Sequence, residues 1–168
     1  MGEDKIYAGI GSRRTPVDVL SVMTEIAREL DMIGYTLRSG GAPGADLAFE
    51  LESTKKEIYL PWVNFNASES TLYTVCKGAM DMASHYHPAW SKLSSPVRKL
   101  MARNCYQVLG LNLNEPVKFV VCWTPDGRLV GGTSQAIRIA KDWKIPVFNL
   151  HRHSPRDILA FAGKNALF

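Results

Sequence analysis

The sequence predicts an α/β fold, a parallel sheet covered by helices on both faces, and three observations point to it. Short apolar segments alternate with stretches of helical period along most of the 168 residues. Glycine-rich turns recur where an expected strand passes into an expected helix. Hydrophobic residues make up 46% of the chain, enough for one domain over 1–168 to bury most of its unfolded surface around a single sheet.

Lys5 to Ile10 reads as a buried strand, followed at once by the turn Gly9-Ile-Gly11-Ser12-Arg13-Arg14. Thr15-Pro16 starts a helix, since proline at a first helical position loses no needed hydrogen bond. Val19, Val22, Met23, Ile26, Ala27 and Leu30 keep its helical period until Gly34. Tyr35 to Arg38 is the second strand, feeding Ser39-Gly40-Gly41-Ala42-Pro43-Gly44 and a helix from Ala45. Glu57 to Trp62 is a third strand, stopped by Pro61. From 63 to 96 the pattern loosens into an expected insertion or lid whose helical part is Ser70 to Ala83. Ser95-Pro96 opens a helix running to about Leu109, closed by Gly110. Val117 to Trp123 is the most apolar strand and is expected at the centre of the sheet. After a turn at Thr124 to Gly127, Gly131-Gly132-Thr133-Ser134 opens another helix. Ile145 to Leu150 is the last strand, and the tail from His151 suits a short covering helix.

The net charge of +4 and a pI near 9.0 favour anionic partners. No apolar run approaches the roughly 20 residues of a membrane span, and the start Met-Gly-Glu-Asp-Lys lacks the form of a signal peptide, so a cytoplasmic protein is expected. Cys76, Cys105 and Cys122 are odd in number and widely spaced, which reads as reduced thiols. His85, His87, His151 and His153 form no zinc spacing, and no metal or cofactor is expected.

The chemistry lies in the turns. Glycine lets a ligand approach amides that a β-carbon blocks, and a helix start directs unpaired N–H groups and a positive dipole end at an anion. Gly11 and Ser12, then Ser39, Gly40, Gly41 and Gly44, then Gly131, Gly132, Thr133 and Ser134 are therefore the candidate phosphate cradle. Arg13, Arg14 and Arg103 are candidates to neutralise its charge, with Arg38 near enough in sequence to join them. Asn104 adds a polar contact, Asp46 is a candidate for a ribose hydroxyl, and Tyr86 or Trp90 for stacking on a base. The bland alternatives remain open: solvated arginines, a packed aromatic loop, and an Asp46 favoured only by its place in a first helical turn.

Gly9-Ile-Gly11-Ser12-Arg13, Ser39-Gly-Gly-Ala-Pro-Gly-Ala-Asp46, Met101-Ala-Arg103-Asn104 and Gly132-Thr133-x-x-Ala136 resemble, in order, the motifs of the DNA-processing protein A (Smf) family. That family shares a wider superfamily with the Lonely Guy phosphoribohydrolases. The resemblance spans about residues 5 to 150 and implies a Rossmann-like sheet whose turns hold the phosphates of a free nucleotide or of single-stranded DNA. It also implies a homodimer or higher homo-oligomer. Two departures stand out. Cys105 replaces a further arginine of the family pattern, and no winged-helix extension can be fitted after Leu150. The phosphoribohydrolases place an essential glutamate where this chain has Gln135, and an amide cannot act as a general base.

The leading expectation is thus a protein that binds a small phosphorylated nucleotide, of the ADP-ribose kind, without turnover. Single-stranded DNA binding in recombination is the alternative. Cleavage of an N-glycosidic bond by Asp46 or Glu50 is a third reading.

Overall fold

The computed structural model describes residues 4–166. Five strands form one sheet: β1 (Ile6–Gly9), β2 (Thr36–Ser39), β3 (Lys56–Ile58), β4 (Val120–Cys122) and β5 (Val147–Asn149). All neighbours pair in parallel, in the order β3-β2-β1-β4-β5, which is the Rossmann-like order. Six helices connect or cover them: α1 (Val17–Met32), α2 (Ala45–Leu51), α3 (Lys77–Tyr86), α4 (Ser95–Leu109), α5 (Thr133–Asp142) and α6 (Pro155–Ala166).

Side chains of a strand point to alternate faces, so each strand feeds two cores. Val120 and Cys122 join Ala8, Tyr59 and the inner sides of α3, α4 and α5. Phe119 and Val121 join Tyr7, Leu37 and the inner sides of α1, α2 and α6. The second core is aromatic: Tyr7 stacks on Phe119 with ring centroids 5.7 Å apart, and Tyr35 meets Phe119 edge-on at 5.5 Å. Tyr35 also donates a buried hydrogen bond to Ala162 O at 3.0 Å, which anchors α6 on this face.

The structure corrects the sequence reading at three places. β1, not β4, holds the middle of the sheet, with β4 between it and β5. The helix expected from Ser70 begins only at Lys77. Residues 70–75 stay extended instead, because Thr71, Tyr73, Thr74 and Val75 are β-branched or aromatic and because the sheet edge offers them partners. Leu60 donates to Leu72 O at 2.7 Å, and the Ser70 hydroxyl donates to Ile58 O at 2.5 Å. Cys76 then caps α3, its sulfur accepting from Ala79 N at 3.4 Å. Finally, α3 is no lid. It packs on α4 and belongs to the first core, with Ala79 and Ala83 fully buried.

Candidate functional site

The strand order reverses between β1 and β4, since β1 leads through α1 to β2 on one side while β4 lies on the other. A crevice at the carboxyl ends of the strands is expected at such a switch point. A cavity of about 590 Å³ lies there, between the loops that leave β1 and β4 and the inner side of α4.

Gly11, Ser12, Arg13 and Arg14 line it from the first loop, Asp46 from the start of α2, Arg103 and Asn104 from α4, and Gly131, Gly132 and Thr133 from the start of α5. Ser12 is fixed in a tight turn: its hydroxyl oxygen accepts from Arg14 N at 3.0 Å, and Thr15 donates to Ser12 O through its hydroxyl at 2.5 Å. That turn leaves Arg13 and Arg14 exposed at the mouth. Gly131, with φ +71°, meets nothing where a β-carbon would stand; beyond it the Gly132 and Thr133 amides donate to no described residue, while Ser134 and Gln135 donate to Gly131 O at 3.3 Å and Gly132 O at 3.1 Å.

Arg103 and Asn104 join the turns to each other. Arg103 is 5% exposed and donates through Nη1 to Gly40 O and to Tyr59 O, the latter at 3.1 Å, and through Nε to Asn104 Oδ1 at 3.0 Å. Asn104 Nδ2 donates to Gly132 O at 3.0 Å. Arg103 Nη2 makes no hydrogen bond to any described residue. One helical turn thus holds both glycine loops and keeps one guanidinium nitrogen uncommitted.

Two guanidiniums converge on one ring. Arg13 lies 5.9 Å from the centroid of Phe65 and Arg103 lies 5.6 Å from it. Burial brings Arg103 down to about 10, the nearby Arg13 charge adds to that fall, and Asp46 opposes it. Burial likewise pushes the Asp46 carboxyl up to about 6, against the pull of Arg103, the Ala42 amide and the Ser39 hydroxyl. The cleft therefore holds three arginines, Arg13, Arg14 and Arg103, against one carboxyl that ionises only as pH rises through about 6, so its lining stays net positive.

Several candidates serve as scaffold rather than lining. Ser39 is buried and donates to Gly9 O at 2.6 Å. Gly41, at φ +67°, turns beneath Leu60, and at Gly44, with φ +88°, a β-carbon would stand 3.2 Å from the Arg13 main chain. Gly40 presses its main chain against Arg103 and Gln107. Ser134 donates to Gly131 O at 2.6 Å and accepts from Arg138. Arg38 stands apart from the cleft: it is 2% exposed, donates to Glu115 O at 2.6 Å, and sits 3.5 Å from Glu57 and 3.8 Å from Glu115 carboxylate oxygens.

Tyr86 and Trp90 do not line the cavity. Tyr86 sits at the end of α3, its hydroxyl bonded to Asp142, and Trp90 lies under the Arg98 guanidinium at 5.3 Å. Gln135 is also remote. It is fully buried, donating to Ala83 O at 2.9 Å and accepting from Arg138 at 2.9 Å. Among the described residues no group of three or more His, Cys, Asp or Glu is placed to hold a metal ion, and no helix is long and apolar enough to cross a membrane.

Phe65, Leu100 and Gln107 carry weight that the sequence did not assign them. Leu100, Arg103, Asn104 and Gln107 fall at helical spacing on one side of α4, a stripe that was there to be read. Phe65 had no such signal. It sits among left-handed residues Asn64, Asn66 and Ala67, and Asn66 pins the loop by donating to Gly41 O at 3.0 Å.

Fold and cleft together define a doubly wound α/β protein with a cationic crevice at its switch point. One solved structure similar to it is that of DNA processing protein A from Helicobacter pylori, described for its unique single-stranded DNA binding mode. The two share 19% identity with a TM-score of 0.55, over 97% of this chain and 77% of that one, a likeness of fold. No protein-family model and no curated protein matches the chain.

Proposed function

We propose that this cleft binds the phosphodiester backbone of single-stranded DNA, without cleaving it. The carrying observation is the convergence of Arg13 and Arg103 on Phe65 beside an Asp46 carboxyl driven toward its neutral form. Like charges held together are satisfied by an anion, and Arg103 Nη2, the Gly132 and Thr133 amides and the exposed Arg14 supply the donors. Trp62, 37% exposed and edge-on to Phe65 at 5.4 Å, offers a ring beside them for a base. The Helicobacter protein, of like fold, supports the choice of DNA over other anions.

The second reading, a small phosphorylated nucleotide, is favoured by the cavity volume, since about 590 Å³ falls within the roughly 300–1,000 Å³ usual for small-ligand sites. Fluorescence anisotropy with a labelled oligonucleotide at several salt concentrations separates the two. Binding should weaken steeply with salt. Removing Arg13 and Arg14 together should reduce the slope of log affinity against log salt by about 1.4, roughly 0.7 for each phosphate no longer neutralised. A free nucleotide that binds where the oligonucleotide does not refutes the DNA reading. Release of base, followed by chromatography, refutes binding without turnover and favours the third reading, in which Asp46 or Glu50 supplies the acid.

Binding should also depend on pH in one direction. The Asp46 carboxyl, raised to about 6 in the free protein, rises further when an anion enters beside it, so binding takes up a proton. Affinity for a phosphodiester, which does not itself titrate here, is then flat below about pH 6 and falls above it by at most about tenfold per unit. Asp46→Asn should abolish that fall. A wild-type affinity unchanged from pH 5 to 8 refutes the coupling.

A further inference from the structure

We infer that Gln107 reads the edge of one nucleobase lodged in the cleft, so that the site selects for base as well as for phosphate. This rests on the proposed binding of single-stranded DNA. Gln107 is 2% exposed, stands one helical turn beyond Arg103 on α4, and lines the cavity. Its carboxamide makes no hydrogen bond to any described residue. Of the other buried side chains carrying nitrogen or oxygen among the described residues, the Tyr7 hydroxyl, shut within the aromatic core, also lacks one, whereas the rest, from Thr15 and Ser53 to Thr124 and Asn149, have at least one. Nor does the amide belong to the buried atoms shut away without a partner, so it opens on the cavity.

An amide that opens on the cavity meets water in the free protein, so a ligand that fills the cavity gains only if it matches the amide's donors and acceptor and loses if it leaves them unpaired. A carboxamide offers two donors and an acceptor, whereas a phosphodiester offers acceptors alone. The complementary group carries a donor and an acceptor side by side, as the edge of a nucleobase does. Position fits as well. Gln107 Nε2 and Arg103 Nη1 lie on the same side of Gly40, 2.3 and 2.5 Å from where its β-carbon would stand, so the reading group adjoins the charge that holds the phosphate. Ile10, Ala42, Leu100 and Ala136 supply the apolar wall that a planar base requires.

The test compares homopolymeric deoxyoligonucleotides of A, C and T by anisotropy. Wild-type protein should prefer one base over another by about tenfold or more. Gln107→Leu, which keeps the volume and removes the amide, should flatten that ranking to within about twofold, and Gln107→Asn, which withdraws the amide by one methylene, should weaken it. Arg13→Ala should lower affinity for all three alike and leave the ranking intact. A ranking that survives in Gln107→Leu, or a wild-type protein indifferent to base, overturns the role of Gln107 while leaving DNA binding in place. Should Gln107→Leu fail to fold, as judged by its melting curve, the Asn variant decides by the same ratio. Failure of every oligonucleotide to bind removes the DNA reading and this inference with it.

Discussion

Arg103→Met is expected to lower the free energy of unfolding by about 3 kcal/mol and to eliminate oligonucleotide binding. Methionine keeps much of the packing but removes the donors to Gly40 O, Tyr59 O and Asn104 Oδ1, leaving buried acceptors unpaired. It also leaves Asp46 buried without the cation that most favours its ionised form. Urea unfolding at pH 8, where Asp46 is ionised, should show the full effect, and unfolding at pH 5 a smaller one. The sign follows from burial: a carboxyl raised above its unfolded value is least costly to the fold when protonated, and that advantage is lost as pH rises through about 6. Adding Asp46→Asn to Arg103→Met should recover about 1 kcal/mol at pH 8, because a neutral amide needs no counter-charge. A single variant within about 0.5 kcal/mol of wild type would contradict the structural role given to this guanidinium.

Gly40→Ala should be nearly as damaging, at about 1–3 kcal/mol, with loss of binding. An added methyl group stands 2.3 Å from Gln107 Nε2 and 2.5 Å from Arg103 Nη1, well inside contact distance. Both side chains are long, but Arg103 cannot swing aside without giving up the carbonyls it serves. The backbone at Gly40 is not left-handed, so the cost lies in close approach alone. Thermal unfolding and anisotropy on the one variant check this. Wild-type stability together with wild-type affinity would mean that the two side chains have room to retreat.

The parts of the molecule legible in the sequence are those governed by local rules. Alternation of apolar residues, Pro16 at a helix start, Gly34 and Gly110 at helix ends, and glycine turns after β1, β2 and β4 all concern neighbours in the chain. The arginines at the first turn and on α4 were legible for the same reason, although Arg38 looked equivalent to them. Its fate was decided by Glu57 and Glu115, which only the folded chain brings near. Tyr86 and Trp90 drew notice through composition, whereas their direction was not legible: one lies at the end of a packed helix, the other beneath Arg98, both outside the cavity. Phe65 was passed over because its loop takes left-handed backbone at two asparagines and an alanine, with no glycine to mark it.

The joining of both loops by Arg103 and Asn104 has a mechanical corollary. Adjacent residues of one helix hold the carbonyls of Gly40 and Gly132, so the turn after β2 and the start of α5 are cross-linked through α4 as well as carried by their own strands. Any slide of α4 across the sheet must stretch both bonds together, which makes that helix the clamp of the crevice.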